Sequence, residues 1–216
     1  MYKLVSFSLG NILIKMKGFD NGWNLIRRLY NIPNLWEKYL DGKLTRREAR
    51  IKEYEIWKLK GITRDRLRKD FKRFKLMKGT KQTINVLKKN NITPVIISDN
   101  PEFLVKEVAK KLKVRYIAYD RILFDKKGYA YDTKPTHPSK NKRLSKVSAI
   151  KDFAKKKRIS LKECVAVGNN DADIALFKKV GFSIAFNSKD KKLKRLADVS
   201  VKSNDLRKIL KYLIQN

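Results

Sequence analysis

The chain has 216 residues, 42% of them hydrophobic, which is enough for one core domain plus a smaller insertion and too apolar for a disordered tail. It carries 54 Lys and Arg against 21 Asp and Glu, a net charge of +33, with a single cysteine. Those numbers exclude a disulfide-built fold and an acidic surface, and no apolar run reaches the length that spans a bilayer.

In chain order, the apolar run Leu4-Val5-Ser6-Phe7 reads as a buried strand that runs out into Ser8-Leu9-Gly10-Asn11. Gly10 and Asn11 break the apolar stretch and no cleavage site follows, so no signal peptide is expected. A helical stretch without strand signals follows, from about residue 20 to about residue 75. Asp20 or Asn21 caps its first helix, with Trp23, Leu25, Ile26 and Tyr30 on one face. Thr45 and Glu48 form a capping box ahead of the second helix, whose apolar side holds Ala49, Ile51, Tyr54, Ile56, Trp57 and Leu59. Gly61 ends it, and Leu67, Phe71 and Phe74 point inward from a third helix.

From residue 80 the pattern alternates between helix and strand. "TPVIIS", "VRYIAY", "ECVAVG", "FSIAF" and "ADVSV" read as strands. "ILFDKKGYAYDT" reads as a hairpin turning at Lys126-Lys127-Gly128, and "NDLRKILKYLI" as a closing helix capped by Asn204. Such alternation predicts an α/β fold: a Rossmann-like parallel sheet with helices on both faces, plus an inserted all-helical cap. The predicted boundaries are residues 1–14 and 78–216 for the core and 15–77 for the cap. Cys164, inside a predicted buried strand, suits a reducing cytoplasm. His137, the one histidine, is expected as an exposed loop residue.

The order of four landmarks resembles the haloacid dehalogenase-like phosphatases, and more closely their phosphoserine phosphatase-like branch. The cap segment from Asp41 to Ser98 and the stretch "ECVAVGNNDADIALFKKVGFSIAF" carry the likeness, which covers nearly the whole chain. In active members the first motif is Asp-x-Asp-Gly-Thr, where this chain has Ser8-Leu9-Gly10-Asn11-Ile12. The resemblance implies that Ser8 stands in the place of the nucleophile and Gly10 in that of the general acid/base. Ser98 fits the Ser or Thr that holds phosphate, and Lys146, 23 residues before Asn169, fits the lysine that steadies the phosphoryl charge. The last motif, Gly-Asp-x-x-x-Asp, reads Gly168-Asn169-Asn170-Asp171-Ala172-Asp173, so a metal-binding Asp has become Asn169 while Asp173 persists.

Mg²⁺ is usually held by carboxylates in near-octahedral geometry, and a serine acts as a nucleophile only with a base to take its proton. The losses at Ser8, Gly10 and Asn169 therefore predict no catalytic residues, no resident cofactor and no metal, with Asp173 a remnant ligand or a helix cap. Mg²⁺ enters only if the chain is an enzyme. Ser98 and Lys146 remain as a pocket for phosphate or another anion, or else as a strand end and one more solvated lysine.

Between Lys43 and Lys75 there are 14 basic and five acidic residues, and between Lys134 and Arg158 ten basic and one acidic. The reading that follows is a catalytically degenerate phosphatase fold acting as a basic RNA-binding, ribosome-associated factor, with ribosomal RNA or a subunit as partner. Its contacts would run through Arg64, Arg68, Lys72, Lys155, Lys156 and Lys157. Two alternatives stay open: a phosphomonoesterase with atypical residues, working through Ser8, and a homodimeric protein-interaction scaffold. None of the three readings involves a membrane.

Overall fold

The computed structural model describes residues 1–15, 21–71 and 74–214. Strand β1 (Leu4–Phe7) is followed by the short β2 (Ile14–Lys15) and four helices: α1 (Gly22–Leu29), α2 (Leu35–Leu40), α3 (Arg46–Leu59) and α4 (Arg64–Asp70). The two-residue β3 (Lys75–Leu76) pairs antiparallel with β2, so the chain leaves and re-enters the core at one place. Then come α5 (Thr80–Lys89), β4 (Thr93–Pro101), α6 (Glu102–Leu112), β5 (Tyr116–Phe124) and β6 (Ala130–Pro135). After them follow α7 (Lys146–Lys157), β7 (Cys164–Gly168), α8 (Ile174–Phe177), β8 (Phe182–Phe186), α9 (Lys191–Leu196) and β9 (Val199–Val201).

Seven of these strands form one sheet in the order β6-β5-β4-β1-β7-β8-β9, all neighbours parallel except the β5–β6 hairpin. Successive side chains on a strand point to opposite faces, and the core divides accordingly. Val5 and Phe7 pack in one cluster with side chains of α5 and α6, and Leu4 packs in a second with those of α7, α8 and α9. Both faces being covered is why the central strands read as unbroken apolar runs. None of the described helices is long and apolar enough to cross a membrane.

The insertion folds from local signals. Asn21 caps α1 by accepting from the Asn24 amide at 3.0 Å, and Thr45 and Glu48 close their capping box on α3. Asp20 and Phe19 lie outside the described residues. Trp57 is fully buried, with Tyr54 and Phe71 beside the same core, so these aromatics pack rather than stack on a ligand. Leu59 departs from its expected inward face: at 87% exposed it is the last residue of α3, beyond the reach of the seam.

Two other local expectations are corrected. "VRYIAY" and "ILF" form one continuous strand, β5, because Tyr116–Ala118 pairs with β4 and Asp120–Phe124 with β6. The closing segment is a 3₁₀ helix, Leu206–Tyr212, capped by Asp205 rather than Asn204, since Asp205 Oδ1 accepts from the Arg207 amide at 3.0 Å. The stretch after Gly168 opens with a 3₁₀ turn, Asp171–Asp173, because the Asn170 side chain caps it early and Asp173 turns back to the Asn170 amide.

Candidate functional site

The site sits at the carboxyl edge of β1, β4 and β7, where open α/β sheets bind ligands. Ser8 follows β1, and its amide donates to Val167 of β7 at 3.0 Å. The loop then turns on Leu9, whose carbonyl accepts from the Leu13 amide at 3.0 Å, with Asn11 in the left-handed region at φ 57°.

Ser8, Lys146 and Asp173, all buried, form a closed triad. The Ser8 hydroxyl donates to Asp173 Oδ1 at 2.7 Å. Lys146 Nζ donates to Ser8 Oγ at 2.7 Å and to Asp173 Oδ1 at 2.6 Å. Asp173 Oδ2 accepts the Asn169 amide at 2.9 Å and the Asn170 amide at 3.4 Å. Burial alone would lower the Lys146 ammonium, but Asp173 and Asp99 outweigh it and raise it above the ordinary lysine range. The lysine therefore carries its charge at neutral pH. Position 168 must be glycine for the triad to form, since a Cβ there would lie 2.5 Å from Asp173 Cγ.

Asn169 is tied into the backbone. Its Nδ2 donates to the Gly10 carbonyl at 2.9 Å, and its own carbonyl accepts from Ser188 Oγ at 2.8 Å. A carboxylate could not make the first bond, because it has no donor. Ser98 and Asn100 form a second polar pair beneath the insertion. Asn100 Nδ2 donates to Ser98 Oγ at 2.7 Å, and Asn100 Oδ1 accepts the Gly22 amide at 2.5 Å. Among the described residues no hydrogen bond joins Ser98 to Lys146, so the expected two-residue anion pocket is divided between two networks.

The donor set does not fit a divalent cation. Both oxygens of Asp173 are engaged, one by an ammonium and a hydroxyl and the other by amides. Among the described residues no group of three or more His, Cys, Asp and Glu could hold a metal. Lys146 already supplies a positive charge at the carboxylate that Mg²⁺ would need.

Of the expected nucleic-acid contacts, Arg64 and Arg68 lie exposed on α4, and Lys155, Lys156 and Lys157 are exposed in the last turn of α7. Lys72 lies outside the described residues. Lys156 pairs with Asp152 at 2.7 Å, and Arg64 with Asp65 at 3.7 Å. His137 is half-buried rather than exposed, held between Thr136 and Asp152, with its ring edge-on to Phe153.

Sequence reasoning missed a charged seam between insertion and core. Arg46 of α3 faces Asp120 of β5 at 3.5 Å, and Arg46 Nη1 donates to the Lys142 carbonyl at 2.7 Å. Burial, and then Asp99, push the Asp120 carboxyl up to about 7, against Arg46, Arg50 and Arg143. The adjacent charges Asp120-Arg121 in a strand otherwise rich in Tyr, Ile and Leu were the available signal.

Residues 139–213 match the haloacid dehalogenase-like hydrolase family. The phosphoserine phosphatase of Methanocaldococcus jannaschii is 27% identical over 211 residues, covering 98% of this chain and 97% of that protein. The phosphoserine phosphatase of Archaeoglobus fulgidus is 24% identical, over 94% of this chain and 58% of its own length. A solved structure of a phospho-aspartyl intermediate analogue of phosphoserine phosphatase superposes with a TM-score of 0.80, at 27% identity and 99% coverage of both chains. A phosphoserine phosphatase in apo form superposes at 0.81, with 26% identity.

These findings overturn the reading of the chain as a degenerate, RNA-binding, ribosome-associated factor. The likeness runs end to end, insertion included, and every protein named here carries a phosphatase name. Net charge does not set a fold or a reaction.

Proposed function

We propose that this chain, which belongs to the haloacid dehalogenase-like superfamily and to its phosphoserine phosphatase-like branch, is a phosphomonoesterase that works through Ser8. The observation that carries the reading is the Ser8 hydroxyl, held at once by a carboxylate oxygen at 2.7 Å and an ammonium at 2.7 Å. A serine needs a base and a neighbouring positive charge to attack phosphorus, and both are in contact.

In this scheme Ser8 Oγ attacks the phosphorus of a small monoester while its proton passes to Asp173 Oδ1. The P–O bond to the leaving group breaks, Asp173 gives the proton it took to the departing oxygen so that the alcohol leaves neutral, and Ser8 carries the phosphoryl group. Lys146 steadies the charge that develops on Oγ and on the phosphoryl oxygens. Water then attacks phosphorus and gives a proton to Asp173, the P–Oγ bond breaks, and Asp173 passes that proton to Ser8 Oγ. Asn169 and Gly168 position Asp173; the Asn100–Ser98 pair positions the floor beneath α1. The lone reduced cysteine suits a cytoplasmic enzyme.

The test is hydrolysis of p-nitrophenyl phosphate and of phosphoserine by the pure protein in excess EDTA. Ser8→Ala and Asp173→Asn should each lower kcat by on the order of 10²-fold or more, as loss of nucleophile or base does. A Ser8→Ala protein that keeps the wild-type rate would place the chemistry elsewhere.

A further inference from the structure

The seam between α3 and the sheet contains a buried carboxylate with an incomplete set of partners. Asp120 Oδ2 faces Arg46 Nη2 at 3.5 Å, with the Asp120 side chain 2% exposed. Asp120 Oδ1 and Arg46 Nε are both buried and have no hydrogen-bond partner among the described residues. A buried carboxylate with a free oxygen is costly in its charged form and much less so in its neutral form. The other contacts across this seam do not titrate near neutrality: Trp23 Nε1 donates to the Asp99 carbonyl at 2.8 Å, and the Tyr54 hydroxyl meets Thr133 Oγ1.

We propose that Asp120 and Arg46 form a proton-operated catch that sets how tightly the helical insertion closes over the Ser8 pocket. The catch does not depend on turnover.

The groups that act on Asp120 are Asp99 from β4, Arg46 and Arg50 from α3, and Arg143 from the loop before α7; Tyr54 of α3 also feels its charge. Arg50 is already committed, with Nη1 on Glu53 at 2.9 Å and its guanidinium 3.7 Å from the Trp23 ring centre. Burial comes first among the causes, and the repulsion of Asp99 adds to it, so the closed seam holds the proton up to about pH 7. In an open seam water solvates the carboxylate, which returns to its ordinary value of 3.8. The closed form therefore binds the proton more tightly. Closure is strongest below the ordinary carboxylate range and weakens as the pH rises. The closed-to-open ratio falls by up to tenfold per pH unit until about pH 7, then levels off. An ion pair that looks like a clasp thus loosens when it becomes fully charged, because burial outweighs Arg46.

The three tryptophans, Trp23, Trp36 and Trp57, all lie in the insertion, so tryptophan emission reports on it alone. The experiment is acrylamide quenching of the whole protein from about pH 4.5 to about pH 8.5, with circular dichroism to verify folding. Wild type should become more quenchable as the pH rises and level off near pH 7. Asp120→Asn should stay at the low-pH level throughout. Arg46→Gln removes a group that holds the carboxyl down, so its levelling point should move to higher pH; this variant carries the test if Asp120→Asn does not fold. His137→Gln, which replaces the one histidine and leaves Asp120 and Arg46 untouched, should leave the transition in place. Quenching independent of pH in wild type, a transition that survives Asp120→Asn, or a levelling point unmoved by Arg46→Gln would overturn the proposal.

Discussion

Replacing Lys146 by Met tests the triad without changing the size of the side chain much. Lys146 is 6% exposed and Asp173 1%, so the substitution leaves a buried carboxylate without its cation. Removing one partner of a buried pair costs about 3–5 kcal/mol, mostly from the charge left behind. Asp173 keeps the Ser8 hydroxyl and the amides of Asn169 and Asn170, which places the expected loss near the lower end, about 3 kcal/mol. With a urea m-value of about 1–3 kcal/mol/M, the unfolding midpoint should fall by about 1 to 3 M. The double change Lys146→Met with Asp173→Leu should recover much of that loss, since an apolar pair of similar volume often replaces a buried ion pair at little cost. The sign with pH follows from the lysine. Its folded value lies above the ordinary 10.5, so the pair contributes fully below that pH and is lost as the pH rises through the folded value. The difference between wild type and Lys146→Met should therefore be the same at pH 6 and pH 8. A loss below about 0.5 kcal/mol, the range of ordinary surface substitutions, would show that the triad is not formed in solution.

Two further outcomes are expected. Asn169→Asp removes the donor to the Gly10 carbonyl and sets a carboxylate against it, so urea unfolding should show a loss of about 1–3 kcal/mol, and no loss would mean the loop is anchored otherwise. Burial, and then Glu163, push the buried Cys164 thiol up to about 11, so native protein should react slowly with a disulfide reagent and denatured protein fast; equal rates would contradict the burial.

How far the sequence reaches depends on the range of the interaction. The caps at Asn21 and Thr45 were readable because each is a contact between residues three apart. The strands were readable because burial on both faces leaves an apolar run. The site was half legible. Ser8, Lys146, Asn169 and Asp173 stood at recognisable places, but their mutual bonds span 138 and 165 positions along the chain, and no local pattern encodes those. Losing three charged or catalytic side chains read as a dead pocket. The fold draws Lys146 and Asp173 onto the Ser8 hydroxyl, an arrangement that depends on the parallel β1–β7 register and on glycine at 168. The charge surplus misled for a related reason: a surface lysine costs little wherever it sits, so abundance alone carries no location. Arg46 and Asp120 meet only once α3 lies against the hairpin, and neither residue announces the other.

The β2–β3 pair has a consequence for how such a molecule can be rebuilt. Ile14 stands opposite Leu76 and Lys15 opposite Lys75, and the Met77 amide donates to the Leu13 carbonyl at 2.9 Å. Cα atoms across an antiparallel pair lie about 4.5–5.5 Å apart, a gap that a tight two-residue turn closes. Excising everything between Lys15 and Lys75 would therefore ask the core to bridge only a hairpin's width, at a small closure entropy. The same gap would accept a foreign segment whose ends meet at that distance. The helical insertion behaves as a cartridge: the sheet holds its socket shut with two rungs of backbone bonding, whatever is plugged into it.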